Sequence, residues 1–99
     1  MQPETRITQS IVKWIKAQGG WAYHVHGSAL QPAGLPDIDG ALLWKNKTIH
    51  LKVEVKTPTG KPSKIQLYYI QLFKRLGYCT GIATRIDDVK QLLEEFTDD

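Results

Sequence analysis

The sequence has little that would staple it covalently or place it in a membrane. Its 99 residues include one cysteine, Cys79, so no internal disulfide can form and a thiolate-rich zinc site is excluded. No apolar run is long enough to span a bilayer. None follows the opening MQPETRITQS, so no signal peptide is expected either. Internal repeats, low-complexity segments and linkers are also lacking, which leaves a single domain over 1–99. A domain of this size buries a modest core, and a partner subunit would help it. Acids are scarce through most of the chain. Residues 1–86 carry twelve Lys/Arg against four acids, Glu4, Asp37, Asp39 and Glu54, a balance of +8. Residues 87–99 reverse this, with Lys90 against six acids and a balance of −5. What is present argues for a folded chain: 41% hydrophobic residues, with Trp14, Trp21 and Trp44 among them. A soluble, intracellular, cytoplasmic domain with a polyanionic partner is expected, its acidic tail kept away from the binding face.

Periodicity places the elements. A first helix starts near Pro3 or Glu4, carries Ile7, Ile11, Trp14 and Ile15 on one stripe, and stops at Gly19-Gly20. A strand over Trp21 to His26 leads into the Gly/Pro loop 27–36. A second strand runs from about Ile38 to Trp44, and Lys45-Asn46-Lys47 marks a hairpin turn. In the third, Ile49, Leu51, Val53 and Val55 alternate with His50, Lys52, Glu54 and Lys56. After TPTGKP, Ser63 opens a helix to about Leu76; Tyr78 to Thr84 is a short strand, and Asp87 or Asp88 begins a last helix. The order α-β-β-β-α-β-α predicts an α/β (α+β) fold with a mixed or antiparallel sheet flanked by helices.

Glu54 and Lys56 are two apart on a strand, so both leave one face of the sheet. A three-residue hairpin loop pairing Trp44 with Thr48 would place Asp37 opposite Val55, whereas a two-residue loop would place it opposite Lys56. Either register brings Asp37 beside Glu54 and Lys56. Two carboxylates suit a hard cation such as Mg²⁺, which lowers the pKa of water and stabilises charge on phosphate. A nearby lysine can orient that water or neutralise the transition state. With the basic body, this points to phosphodiester hydrolysis in nucleic acid.

Gly34-Leu35-Pro36-Asp37-Ile38, Val53-Glu54-Val55-Lys56 and Lys61-Pro62-Ser63-Lys64-Ile65-Gln66, in that order, resemble the PD-(D/E)xK nuclease superfamily. More narrowly, they resemble its stand-alone virus-type replication-repair nuclease (VRR-NUC) domains. The resemblance implies a restriction-endonuclease-like α-β-β-β-α-β core, here with an extra C-terminal helix. It implies that Asp37 and Glu54 bind Mg²⁺ or Mn²⁺, with the Val55 carbonyl and Glu4 as further ligands. It also implies Lys56 as the catalytic lysine, Gln66 as a supporting catalytic residue, and Glu4 as the acid completing the site. A homodimer cutting branched or four-way-junction DNA in replication, repair or recombination is implied as well. Lys52, Lys61, Ser63 and Lys64 flank this site and are candidate phosphate contacts.

Each residue also has an ordinary reading. An Asp after Pro caps turns, and Glu54 with Lys56 would be a weak pair on a solvated face. Glu4 is favourable against the helix dipole without any catalysis. Ser63-x-x-Gln66 is a capping box. Asp39 reads as a strand-edge or outer-shell group, His24 and His26 as a solvated or DNA-facing strand, and Cys79 as a buried strand residue. The set as a whole favours a metal-dependent DNA endonuclease. The competing readings are a non-catalytic nucleic-acid-binding subunit on the same fold, and a protein-interaction module using the Trp and Tyr residues.

Overall fold

The computed structural model describes residues 3–27 and 29–98. Ser28 in the loop 27–36 and Asp99 in the acidic tail lie outside the described residues. Seven elements follow in the expected order: α1 (Pro3–Ala17), β1 (Trp21–His24), β2 (Ile38–Trp44), β3 (Lys47–Val55), α2 (Lys64–Arg75), β4 (Cys79–Ala83) and α3 (Ile86–Thr97). The sheet is mixed, in the order β1-β2-β3-β4. The first three strands run antiparallel, and β4 joins parallel to β3 after the crossover through α2.

One face of the sheet is apolar because β3 alternates strictly. Ile49, Leu51, Val53 and Val55 are buried with Ile38 and Leu42 of β2 against Ile11 and Ile15 of α1 and Val89 and Leu93 of α3. Each such side chain contributes about 1.5–3 kcal/mol by leaving water. The opposite face is covered only at one end. There α2 packs on β3 and β4, while Trp21, Tyr23 and Leu43 at the β1–β2 end stay exposed.

Two local features differ from the sequence expectations. The hairpin loop is Lys45-Asn46 alone, with φ of 52° and 66°, and Trp44 pairs with Lys47. Two consecutive left-handed residues make the tight turn whose twist matches a hairpin. Neither expected register holds: Ile38 faces Val53, which puts Asp37 level with Glu54 rather than with Val55 or Lys56. Strand β1 also ends at His24, two residues early, and one further bond, from the Val25 N–H to the Asp37 carbonyl (2.6 Å), ties the exit of the strand to the start of β2.

Gly19 and Gly34 adopt left-handed backbone, with φ of 79° and 89°. Gly19 closes α1, its N–H donating to the Lys16 carbonyl (3.2 Å). Gly34 lets the loop 27–36 lie on α2, since a Cβ there would meet Ile65 at 2.8 Å.

Candidate active site

The corrected register concentrates the motif residues at the open end of the β2–β3 hairpin. Asp37 sits just before β2, and its Oδ2 accepts the Val55 N–H (2.8 Å). That bond fixes the carboxylate across the strand end and orders the Val55 peptide between Glu54 and Lys56. Glu54 points to the face covered by α2 and is 2% exposed. Its Oε2 accepts a hydrogen bond from Gln66 Nε2 (3.0 Å) and lies 3.9 Å from Lys56 Nζ. Its Oε1 is buried with no donor in reach, and the Asp37 carboxylate stands within hydrogen-bonding distance of the Glu54 carboxyl.

Such a pair strains the ionised state. Burial, then the adjoining Asp37, push the Glu54 pKa from 4.5 up to about 8, with Lys56 pulling it down and Glu4 adding a small upward push. Without a cation, Glu54 therefore holds a proton at neutral pH. The donor set fits a hard divalent cation: an ion between the carboxylates would replace that proton and satisfy the orphaned oxygen.

Gln66 forms the capping box and also reaches Glu54. Its Oε1 accepts the Ser63 N–H (2.8 Å) and its own N–H donates to Ser63 Oγ (3.2 Å), a complete capping box. The same amide's Nε2 is left over and donates to Glu54. The cap thus anchors the side chain that orients the carboxylate. Spacing alone gives no sign of this double use, because the capping box consumes only the amide oxygen.

The other foreseen residues distribute around this centre. Glu4 is exposed on the first turn of α1 and reaches Glu54 only through its charge. Among the described residues, no group of three or more His, Cys, Asp or Glu is close enough to hold one ion. The carboxylate ligands available are therefore Asp37 and Glu54. Lys52 is drawn inward: it pairs with Asp39 (3.3 Å) and lies over the rings of Phe73 and Tyr78 (4.8 and 4.9 Å). Asp39 also accepts from the Tyr23 hydroxyl (3.4 Å), so it serves Lys52 and Tyr23 on the outer sheet face. Lys61, Ser63 and Lys64 are exposed at the start of α2, beside the site. Asp37 and Gln66 line an open pocket of about 470 Å³ whose far wall is the segment 31–35. Cys79 is buried, and its thiol is pushed up to about 11 by burial and by Glu95, which makes it a poor nucleophile.

This architecture has solved counterparts. A protein described as a VRR_NUC domain superposes with a TM-score of 0.75 at 23% identity, covering 95% of this chain and 97% of its own. A second VRR_NUC domain protein gives 0.68 at 20% identity, covering 98% and 89%. Hjc of Archaeoglobus fulgidus, a Holliday junction resolvase from an archaeal hyperthermophile, gives 0.59 at 24% identity, covering 82% and 67%. No family model and no curated protein matches the sequence. The chain therefore has the fold shared by VRR_NUC domains and an archaeal junction resolvase, the mixed sheet between helices that the residue pattern led us to expect. No helix among the described residues is long and apolar enough to cross a membrane.

Proposed function

We propose that this protein is a metal-dependent endodeoxyribonuclease of the VRR-NUC type, acting on branched or four-way-junction DNA. The observation that carries the reading is Glu54, a buried carboxylate held against Asp37 by Gln66 and Lys56 and left with one unpartnered oxygen. An isolated arrangement of this kind costs stability, so it suits a site completed by a cation and a phosphate. Asp37, Glu54 and the Val55 carbonyl would hold Mg²⁺ or Mn²⁺, with Glu4 contributing its charge from α1. The ion supplies Lewis-acid stabilisation of the phosphate and a lowered pKa for water.

The chain's own residues do the rest. The Val55 N–H holds the Asp37 carboxylate in place, and the capped Gln66 holds Glu54. Lys56 carries its ammonium beside Glu54, where it orients the attacking water and offsets negative charge gathering on the phosphorus oxygens. Lys61, Ser63 and Lys64 contact phosphates on the α2 side of the scissile bond. Lys52, committed to Asp39 and two aromatic rings, has no such role in this reading. The products are a 5′-phosphate and a 3′-hydroxyl.

A junction needs two cuts and one chain offers one site, so the working form is a homodimer with two-fold symmetry. The exposed Trp21 and Leu43 on the sheet, and Tyr68 and Leu76 around α2, are available for that contact. The resolvase counterpart supports the substrate class. The test is a cleavage assay on duplex, flap, splayed-arm and four-way-junction DNA with EDTA, Mg²⁺ or Mn²⁺. Metal-dependent cutting with a preference for the branched substrates is expected. Salt-sensitive binding without cutting on any substrate would instead select the non-catalytic binding subunit.

A further inference from the structure

A broad groove lies outside the candidate active site. It has a volume of about 610 Å³ and runs between α1 and the end of β1. Thr5, Gln9, Lys13 and Lys16 line it from the helix, and His24 and His26 from the strand and its exit. No acid lines it, and neither Lys13 nor Lys16 forms an ion pair among the described residues. This contrasts with Lys45, Lys52, Lys56, Arg85 and Lys90, each of which meets a carboxylate. The two imidazoles stand with ring centroids 4.2 Å apart, so both present ring edges and N–H groups within one short stretch of wall.

One wall of the groove is tied to the candidate site through the backbone. Val25, between the two histidines, donates its N–H to the Asp37 carbonyl, so the histidine wall is clamped to the residue that orients the Val55 peptide. On the helix wall, Glu4 precedes Thr5 and its charge is felt at Glu54. Lys61 and Lys64 lie on the other flank, at the start of α2.

We infer that this groove seats the sugar–phosphate backbone of the cut DNA strand on the α1 side of the scissile phosphate, with Lys13 and Lys16 as its phosphate contacts. The inference rests on the nuclease reading and extends it to a binding path. From Thr5 to Lys16 the helix rises roughly 17 Å at 1.5 Å per residue. A path of that length follows several successive phosphates of one strand. Small polar groups, Thr5 and Gln9, stand nearest the site, where a phosphate must approach closely. The free ammonium groups stand further out, where charge serves affinity rather than chemistry.

The test is equilibrium binding of a four-way junction in EDTA between 50 and 200 mM salt, so that no cutting intervenes. Wild type is compared with the Lys13→Gln/Lys16→Gln double variant and with Lys74→Gln/Arg75→Gln, which removes two exposed cations from the far end of α2. The α1 double variant should lower the slope of log K against log salt by about 1.8, and affinity at 100 mM more than tenfold. The α2 variant should change neither by more than a small fraction of that. A thermal melt matching wild type shows that each variant is folded. An unchanged slope in the α1 variant, or equal losses in both, overturns the inference. If wild type binds with the expected slope change but never cuts, the groove stands and the nuclease reading falls. If wild type cuts and the slope does not move, the groove alone falls.

Discussion

Replacing Glu54 by Gln should make the metal-free protein more stable at alkaline pH, although it removes a residue at the centre of the site. Burial of the carboxyl, then the adjoining Asp37, lift its pKa from 4.5 to about 8. Between those values the folded state keeps a proton that the unfolded chain has released, so stability falls as pH rises. Below pH 4.5 both states carry the proton and nothing is lost; above pH 8 the loss is complete. At 1.36 kcal/mol per pKa unit the full loss is roughly 5 kcal/mol. Gln is the neutral shape of the same group. Its amide oxygen can still accept from Gln66, and its NH₂ can donate to Asp37. The variant therefore escapes the loss entirely. For a domain of this length that corresponds to roughly 20 °C in Tm at pH 9, shrinking to nothing near pH 4. Thermal melts of both proteins in EDTA from pH 4 to 9 provide the assay. Contributions from groups elsewhere in the chain are common to the two proteins and cancel in the difference. A difference that stays flat with pH, or a variant less stable at pH 9, would refute the buried-proton argument. Adding Mg²⁺ should then stabilise wild type at pH 8 and leave the variant almost unmoved, because only ionised Glu54 gives the ion its second carboxylate.

Three further outcomes follow from neighbouring geometry. Ser63→Ala should cost about 1 kcal/mol by urea denaturation through loss of the cap. Cleavage should change little, since the Ser63 backbone N–H that holds the Gln66 amide oxygen, and with it the contact to Glu54, survives the substitution. Asp88 accepts from both the backbone N–H and the hydroxyl of Thr84 (2.8 Å each), and these bonds, the backbone one foremost, hold its carboxyl below the usual 3.8. Its contribution is present above pH 3.8 and lost as pH falls through the lowered value. Asp88→Asn should accordingly cost about 1–2 kcal/mol at pH 7 and less near pH 2. Cys79, buried and with its thiol at about 11, should resist alkylation at pH 8 in the native state and react fully in guanidinium. Rapid native labelling would contradict the packing of β4 under α3.

The sequence was readable where one physical signal dominated. Strict alternation in β3 and the helical stripes of α1 and α3 made those three elements plain, since their apolar residues meet in a common core. The approach of Asp37 to Glu54 was also readable, because any tight hairpin brings those strand ends together. Its register was not. Lys45-Asn46-Lys47 accommodates a two- or three-residue loop, and only the backbone decides which residues turn left-handed. The burial of Glu54 was hidden for a different reason. Period two assigns Glu54 and Lys52 to a polar face, but it carries no information on which end of that face α2 covers. The surroundings of Lys52 were hidden on the same account, since Phe73 and Tyr78 arrive from outside the strand. The link from Ser63 through Gln66 to Glu54 joins a cap to a site across 12 residues of sequence, and no local pattern encodes it.

The most direct test of the account is cleavage of a labelled four-way junction by wild type and Lys56→Ala, side by side in Mg²⁺ and in EDTA. Lys56 lies 3.9 Å from Glu54 and takes no part in the core, so the variant should fold and bind DNA as before. We expect wild type to cut only with the metal and the variant to lose at least about 100-fold in rate. Wild-type turnover by Lys56→Ala, or cutting that persists in EDTA, would contradict the site described above.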